Sequence, residues 1–188
     1  MAKTTGGIDP QKIKLKAVRL SYPHLFEAHA MDGDDKKKFS ACLVLDKKKH
    51  AAEIKLLNKA MGMVAAAKWP KKIPATVKYG LRDGEEREDK DGFDDTVMFL
   101  NASSDKRPPV VDKDLSPLTA EDDVIYAGCY VDATVRIWAQ DNQFGKRINF
   151  ALRAVRFAKD GEAFGQAPVD AEEEFGDDVD DDDDDSVL

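Results

Sequence analysis

The chain has 188 residues, 42% of them apolar, with 29 Lys+Arg against 37 Asp+Glu and a formal net charge of −8. A chain of this size suits one domain with a real core, and no apolar run reaches the ~20 residues of a membrane span. The start, MAKTTGGIDPQK, lacks the apolar segment of a signal peptide, and two cysteines are too few for a disulfide scaffold, so a reducing cytoplasm is the expected compartment.

Residues 1–11, with Gly6, Gly7 and Pro10, read as a flexible lead-in. In residues 12–20 Ile13, Leu15 and Ala17 alternate with Lys12, Lys14 and Lys16, which predicts a half-buried strand with a cationic wet face. From Ser21 to Lys38 the chain carries Pro23, Gly33 and many polar groups and is expected to be mostly loop. Phe39 to Leu45 is apolar enough for a central strand. Asp46 is placed to cap a helix in which Ile54, Leu57, Met61 and Val64 recur at helical spacing until Trp69-Pro70 stops it.

Beyond a linker at 71–75, two strands are expected near 76–82 and 96–101, joined by a very polar loop. Pro108-Pro109 before Val110-Val111 marks an edge segment, because proline cannot donate to an interior ladder. Thr119 could cap a short turn. In residues 130–138 Val131, Ala133, Val135 and Ile137 face one way, and Tyr130, Asp132, Thr134, Arg136 and Trp138 the other. Residues 139–147, with Gly145, read as the connection to a returning strand over 147–157. Cys42 and Cys129 sit in apolar runs and read as buried free thiols. Phe39, Phe99, Phe150 and Phe157 read as core. Short strands with one mid-chain helix predict a mainly β fold, an OB-fold-like five-stranded antiparallel barrel over 12–165.

The last nineteen residues hold twelve of the 37 carboxylates and no Lys or Arg. The other 25 face all 29 basic residues over 1–169, a net of +4. The chain therefore joins a mildly basic body to a strongly anionic tail, residues 166–188, expected to be disordered because it cannot bury apolar area. A tethered polyanion beside a cationic surface competes for that surface, and nucleic acid is the natural third party.

No GxxxxGK[ST], GxSxG, HExxH or GxGxxG motif is present, so no catalytic residues and no cofactor are expected. His24 and His29 lie five apart with no further Cys or His at ligand spacing, and read as solvated loop residues rather than a metal site. A binder of single strands needs cations for phosphates and aromatic faces for bases. The chain interleaves the two. The candidates are Lys12, Lys14 and Lys16 with Tyr22; Lys36, Lys37 and Lys38; Trp69 with Lys71 and Lys72; Tyr79 with Arg82; Tyr130, Arg136 and Trp138; and Phe144 with Lys146 and Arg147. Each has a structural reading too: core packing for the aromatics and a solvated face for the lysines.

The stretches KAVRLSYPHLFE (16–27), FSACLVLDK (39–47) and AGCYVDATVRIWAQDNQFGKRINFALRAVRFAKDGEAFG (127–165), with the tail, resemble the single-stranded-DNA-binding proteins of tailed bacteriophages. The resemblance implies an OB barrel, sequence-independent binding of single strands, and a role in phage DNA replication, recombination and repair inside the infected bacterium. The tail itself reads either as a solubility appendage or as a recruitment peptide, in which Asp180, Asp181, Asp182, Asp183, Asp184 and Asp185 meet a basic rim and the apolar tip at Leu188 docks a pocket on replication or recombination proteins. Relatives with an aromatic last residue differ from this chain at Leu188. The oligomeric state stays open, a homodimer included. The rival readings are an acidic interaction protein that mimics DNA, a binder that also takes duplex, and a metal-dependent nuclease.

Overall fold

Alternation of apolar and polar residues over most of the chain produces strands that wrap on themselves. The computed structural model describes residues 7–30 and 33–165. In chain order these form β1 (Ile13–His29), β2 (Lys38–Asp46), α1 (Ala51–Lys68), β3 (Lys78–Tyr79), β4 (Leu81–Asp83), β5 (Val97–Ser104), β6 (Val110–Val111), β7 (Tyr130–Asn142) and β8 (Gly145–Lys159). The five long strands pair in the circuit β1-β2-β5-β8-β7 and back to β1. Four of the pairings are antiparallel, and a parallel bridge that sets Ala102 opposite Phe150 closes the ring. This is a closed five-stranded barrel of the OB type.

Inward positions along all five strands make one core. Leu15, Leu20, Leu43, Leu100, Val131, Ile137 and Ile148 are fully buried there, and α1 adds Leu57, Ala60, Met61 and Ala65. Removing one such leucine costs about 2–5 kcal/mol, since a close-packed interior collapses only partly around the void. Phe150 and Phe157 belong to this core as expected. Cys42 and Cys129 are free and buried, also as expected.

β1 is longer than the sequence pattern suggested. Three register shifts break its alternation, between Leu15 and Val18, between Ser21 and His24 and between His24 and His29, with Ala17 (φ 49°) and Tyr22 (φ 45°) in left-handed conformations. They bend the strand so that its first half pairs with β7 and its second half with β2. The Asp132 carboxylate on β7 holds the first bulge by accepting the Ala17 N–H at 2.9 Å, while its other oxygen accepts from the Arg156 guanidinium. The segment expected as loop is therefore strand to His29, because cross-strand hydrogen bonds tolerate a bulged proline region. His24 and His29 are not loop residues: their rings stack at 4.3 Å, nearly parallel.

Other boundaries also moved. Asp46 does not cap α1; its carboxylate accepts the N–H groups of Lys48 and Lys49 and shapes the preceding turn, leaving His50 at the cap. His50 is buried, with Nδ1 accepting the Asp46 N–H and Nε2 facing the Lys16 carbonyl at 3.0 Å. The strand expected at 76–82 is two short ones, since Gly80 bonds its N–H to the Ile148 carbonyl between them. β6 lies beside β8 with Val155 N–H donating to Pro109. The expected connection at 139–147 shrinks to Gln143-Phe144, because Asp141–Lys146 and Gln140–Asn149 contacts extend the ladder outward.

Past β8 the chain returns as a strap. Gly161 N–H donates to the Tyr126 hydroxyl at 3.0 Å, the Glu162 carbonyl accepts from Arg19, Phe164 N–H donates to the Ala127 carbonyl at 2.9 Å, and Gly165 N–H donates to Asp91 at 3.0 Å. The Phe164 ring covers the Arg19 guanidinium at 4.1 Å and rests on Gly92. Any Cβ at Gly92 would overlap that ring. The run Asp180 to Asp185 and Leu188 lie outside the described residues.

Candidate nucleic-acid interface

Outward positions of neighbouring strands line up in rows, and three rows cross β2 and β5. The first runs His24, Ser40, Ser103, Ala151, Arg136. Three small side chains in its centre leave a low floor between a histidine and an arginine. The second is Ser21, Cys42, Asn101, with Asn101 exposed.

The third row mixes cations with apolar side chains, two of them rings: Lys159, Tyr130, Arg19, Val44, Phe99, Arg82. Lys159 sits 4.7 Å from the Tyr130 ring centre and Arg82 5.5 Å from that of Phe99. Phe99 is buried as expected, but in a second cluster outside the barrel, with Cys42, Val44 and Phe93. Burial there pushes the Cys42 thiol up to about 12. Arg87 lies over Phe99 at 4.6 Å and over Phe93 at 5.8 Å, and the exposed ring of Tyr22 stands 6.5 Å from Phe93. Bulging at Tyr22 turns this side chain toward Phe93 instead of along the strand face.

The sequence-derived candidates fall into six groups. Tyr22, Arg82 and Tyr130 belong to the cation–aromatic band just described. Arg136 and Trp138 lie outward on β7, Trp138 opposite Asn149, and they continue into the hairpin with exposed Phe144 and Arg147 and with Lys146, which pairs with Asp141 at 3.6 Å. Tyr79, exposed on β3, adjoins Ile148, while Lys78 is paired with Arg147. Lys36, Lys37 and Lys38 flank the start of β2, where Lys36 pairs with Asp105 at 3.1 Å on the surface and Lys38 faces His29. Lys12, Lys14 and Lys16 are exposed on the β1–β7 half, beside Thr134 and the Asp132–Arg156 pair, and so not on the β2–β5 face.

Trp69 is turned to the fold. Its ring packs against the main core and its indole N–H donates to Asp141 at 3.1 Å, which pins the end of α1 to the hairpin. Lys71 and Lys72 follow it, exposed. Reading the sequence missed Arg19, Arg87, Phe93 and Phe164. Strict alternation places Arg19 on the face of Ile13 and Leu15, and only the register shift between Leu15 and Val18 turns it outward. Arg87 and Phe93 sit in a loop whose charge pattern hides them.

In OB barrels the outer face of the second and third barrel strands, with the loops at its sides, binds oligonucleotides. Those strands are β2 and β5 here. The floor of Ser40, Asn101 and Ser103 lies on that face, with Lys36 to Lys38 at the start of β2, Arg136, Trp138 and the hairpin on β7–β8, and the cation–aromatic band beside the floor. Such a surface offers charge for phosphates and ring faces for bases without any base-reading code. Among the described residues no group of three or more His, Cys, Asp or Glu is arranged to hold a metal ion, and no helix is long and apolar enough to cross a membrane.

Comparison with known proteins gives the same direction. A family model described as "Enterobacter phage Enc34, ssDNA-binding protein" matches residues 11–187. A "Putative protein p50" of Acyrthosiphon pisum secondary endosymbiont phage 1 is 37% identical over 175 residues, covering 88% of this chain and 93% of that protein. The single-stranded DNA-binding protein from bacteriophage Enc34, solved in complex with ssDNA, superposes with a TM-score of 0.71 at 29% identity, over 82% of this chain and 89% of that one. Gp2.5, a single-stranded DNA binding protein encoded by bacteriophage T7, shares the fold at a TM-score of 0.58 and 13% identity, covering 92% of this chain and 96% of its own.

Proposed function

The chain belongs to the family of the Enterobacter phage Enc34 ssDNA-binding protein, and from that premise we propose that it binds single-stranded DNA without sequence preference along the outer face of β2 and β5. The observation that carries the reading is the band of Arg19, Tyr130, Phe99, Arg82 and Arg87, which sets guanidinium groups against rings on the face where OB barrels take oligonucleotides. Phosphates are neutralised by the band and by Lys36 to Lys38, Arg136, Lys146 and Arg147. Bases stack on Tyr22, Trp138 and Phe144. No bond is made or broken, so the protein is a binder and not an enzyme.

In this reading the protein coats single strands during phage DNA replication, recombination and repair in the cytoplasm of the infected bacterium. The acidic residues 170–188 recruit other replication or recombination proteins and compete with DNA for the cationic face. The competition follows from charge: twelve carboxylates tethered next to a body of net +4 raise the local concentration of a rival anion.

The test is a titration of fluorescent oligo-dT with the full chain and with a form ended after Gly165, at two or more salt concentrations. The shorter form binds more tightly, and log affinity falls linearly with log salt, by about 0.7 per phosphate neutralised. Equal affinity of the two forms removes the competition, and a body that ignores oligo-dT at low salt removes the binding face itself. A duplex of equal length, expected to bind more weakly, separates this reading from a general DNA binder.

A further inference from the structure

Residues 83–95 form the most acidic part of the body, with eight Asp or Glu among thirteen. Arg87 lies in the middle of them, yet among the described residues its guanidinium has no ion-pair partner and no hydrogen-bond acceptor. Four of the nearby carboxylates are engaged elsewhere. Asp83 pairs with Lys47 at 2.6 Å, Glu86 with Arg82, Asp91 accepts Gly165 N–H, and Asp94 accepts from Thr96 at 2.8 Å.

The geometry around Arg87 explains why it stays uncommitted. Its guanidinium is half-buried on the outer face of β2–β5, held over Phe99 and Phe93. A stacked guanidinium keeps its N–H edge free, and five donors in a planar fork match the oxygens of a phosphate. Among the described residues no buried side-chain nitrogen lacks a partner, so the fork reaches solvent and stands open to an anion that arrives from outside. Tyr22, 48% exposed and left-handed in its backbone, also stands beside Phe93, with ring centres 6.5 Å apart. One ring thus neighbours both a phosphate-type donor set and an open stacking face.

Building on the single-strand reading, we infer that Arg87 and Tyr22 form one nucleotide subsite, in which the Arg87 fork holds a backbone phosphate and the Tyr22 ring stacks the adjoining base. Neither Arg87 nor Phe93 was accessible to pattern reading, and the subsite depends on the 84–96 loop folding back over β5.

The experiment compares oligo-dT binding by Arg87→Met, Arg87→Lys, Tyr22→Leu and Tyr22→Phe, each in the full chain and in the form ended after Gly165. Methionine keeps apolar cover over Phe99 but removes charge and donors. Arg87→Met is expected to weaken binding about tenfold or more and to lower the salt slope by about 0.7. Arg87→Lys restores the slope but not the full affinity, because it lacks the planar fork. Tyr22→Leu loses about 5- to 100-fold, and Tyr22→Phe stays near the parent. Unchanged affinity and slope for Arg87→Met in a body that still binds oligo-dT overturns the subsite and leaves the single-strand reading standing. A parent body that fails to bind overturns that reading instead. An Arg87 effect seen only in the full chain also overturns the subsite, since the fork would then be serving the tail. Melting curves report whether Arg87→Met is folded; if it is not, the slope and affinity of Arg87→Lys decide.

Discussion

Replacing Gly128 with alanine tests the strap by which the chain leaves the barrel. Gly128 has φ +107°, a conformation that costs an L-residue about 1–3 kcal/mol. The new Cβ would also overlap the Glu162 carbonyl oxygen and lie 2.8 Å from Ala163 Cα and 2.9 Å from Phe164 N. Those neighbours are backbone, so the strap must lift. Lifting removes the Arg19–Glu162 and Phe164–Ala127 hydrogen bonds, at about 1 kcal/mol each, and the Phe164–Arg19 stack, at about 0.5–1 kcal/mol. The full cost is about 3.5–6 kcal/mol, equivalent to a drop in melting temperature of about 7–24 °C for a domain of this size. Urea melts of Gly128→Ala in the full chain and in a form ended after Lys159 separate the two contributions. In the shorter form only the backbone strain of about 1–3 kcal/mol should remain. Equal losses in both forms would show that the strap contributes nothing and refute the reasoning.

Three further outcomes are expected. Only Trp69 and Trp138 report in tryptophan fluorescence; quenching by oligo-dT should survive Trp69→Phe and vanish in Trp138→Phe, and the reverse pattern would move the stacking face to the end of α1. Burial and the neighbouring His29 hold the His24 imidazole below its ordinary 6.5. A base whose native value is lowered is stabilising above its unfolded value and loses that contribution as pH falls through the native one, so stability should decline as pH falls below about 6.5. His24→Gln should flatten that part of a urea-midpoint profile, and an unaltered profile counts against the assignment. Both thiols should resist a thiol reagent at neutral pH until urea unfolds the chain, because burial raises Cys42 to about 12 and raises Cys129 as well; prompt labelling of the native protein would contradict the packing of the outer cluster.

Period-two patterning needs no partner to be read, and it determined β7 and β8, the inward set Val131, Ala133, Val135 and Ile137, and the outward placing of Tyr130, Arg136 and Trp138. Helical spacing and Trp69-Pro70 likewise marked the run and the end of α1, and the division into a basic body and an acidic terminus is plain composition. Tertiary structure decided what depends on distant groups. The first bulge of β1 is held by Asp132, 115 residues along the chain, which accepts the Ala17 N–H. Trp69 looked like a stacking ring among lysines until Asp141 claimed its N–H. The lysines of β1 and those before β2 look equivalent in sequence, but the bend between the two halves of β1 sends them to different sides of the barrel. Arg87 owes its position to a loop that folds over Phe99, and no local pattern encodes a contact made between residues of an irregular loop and a strand that follows it.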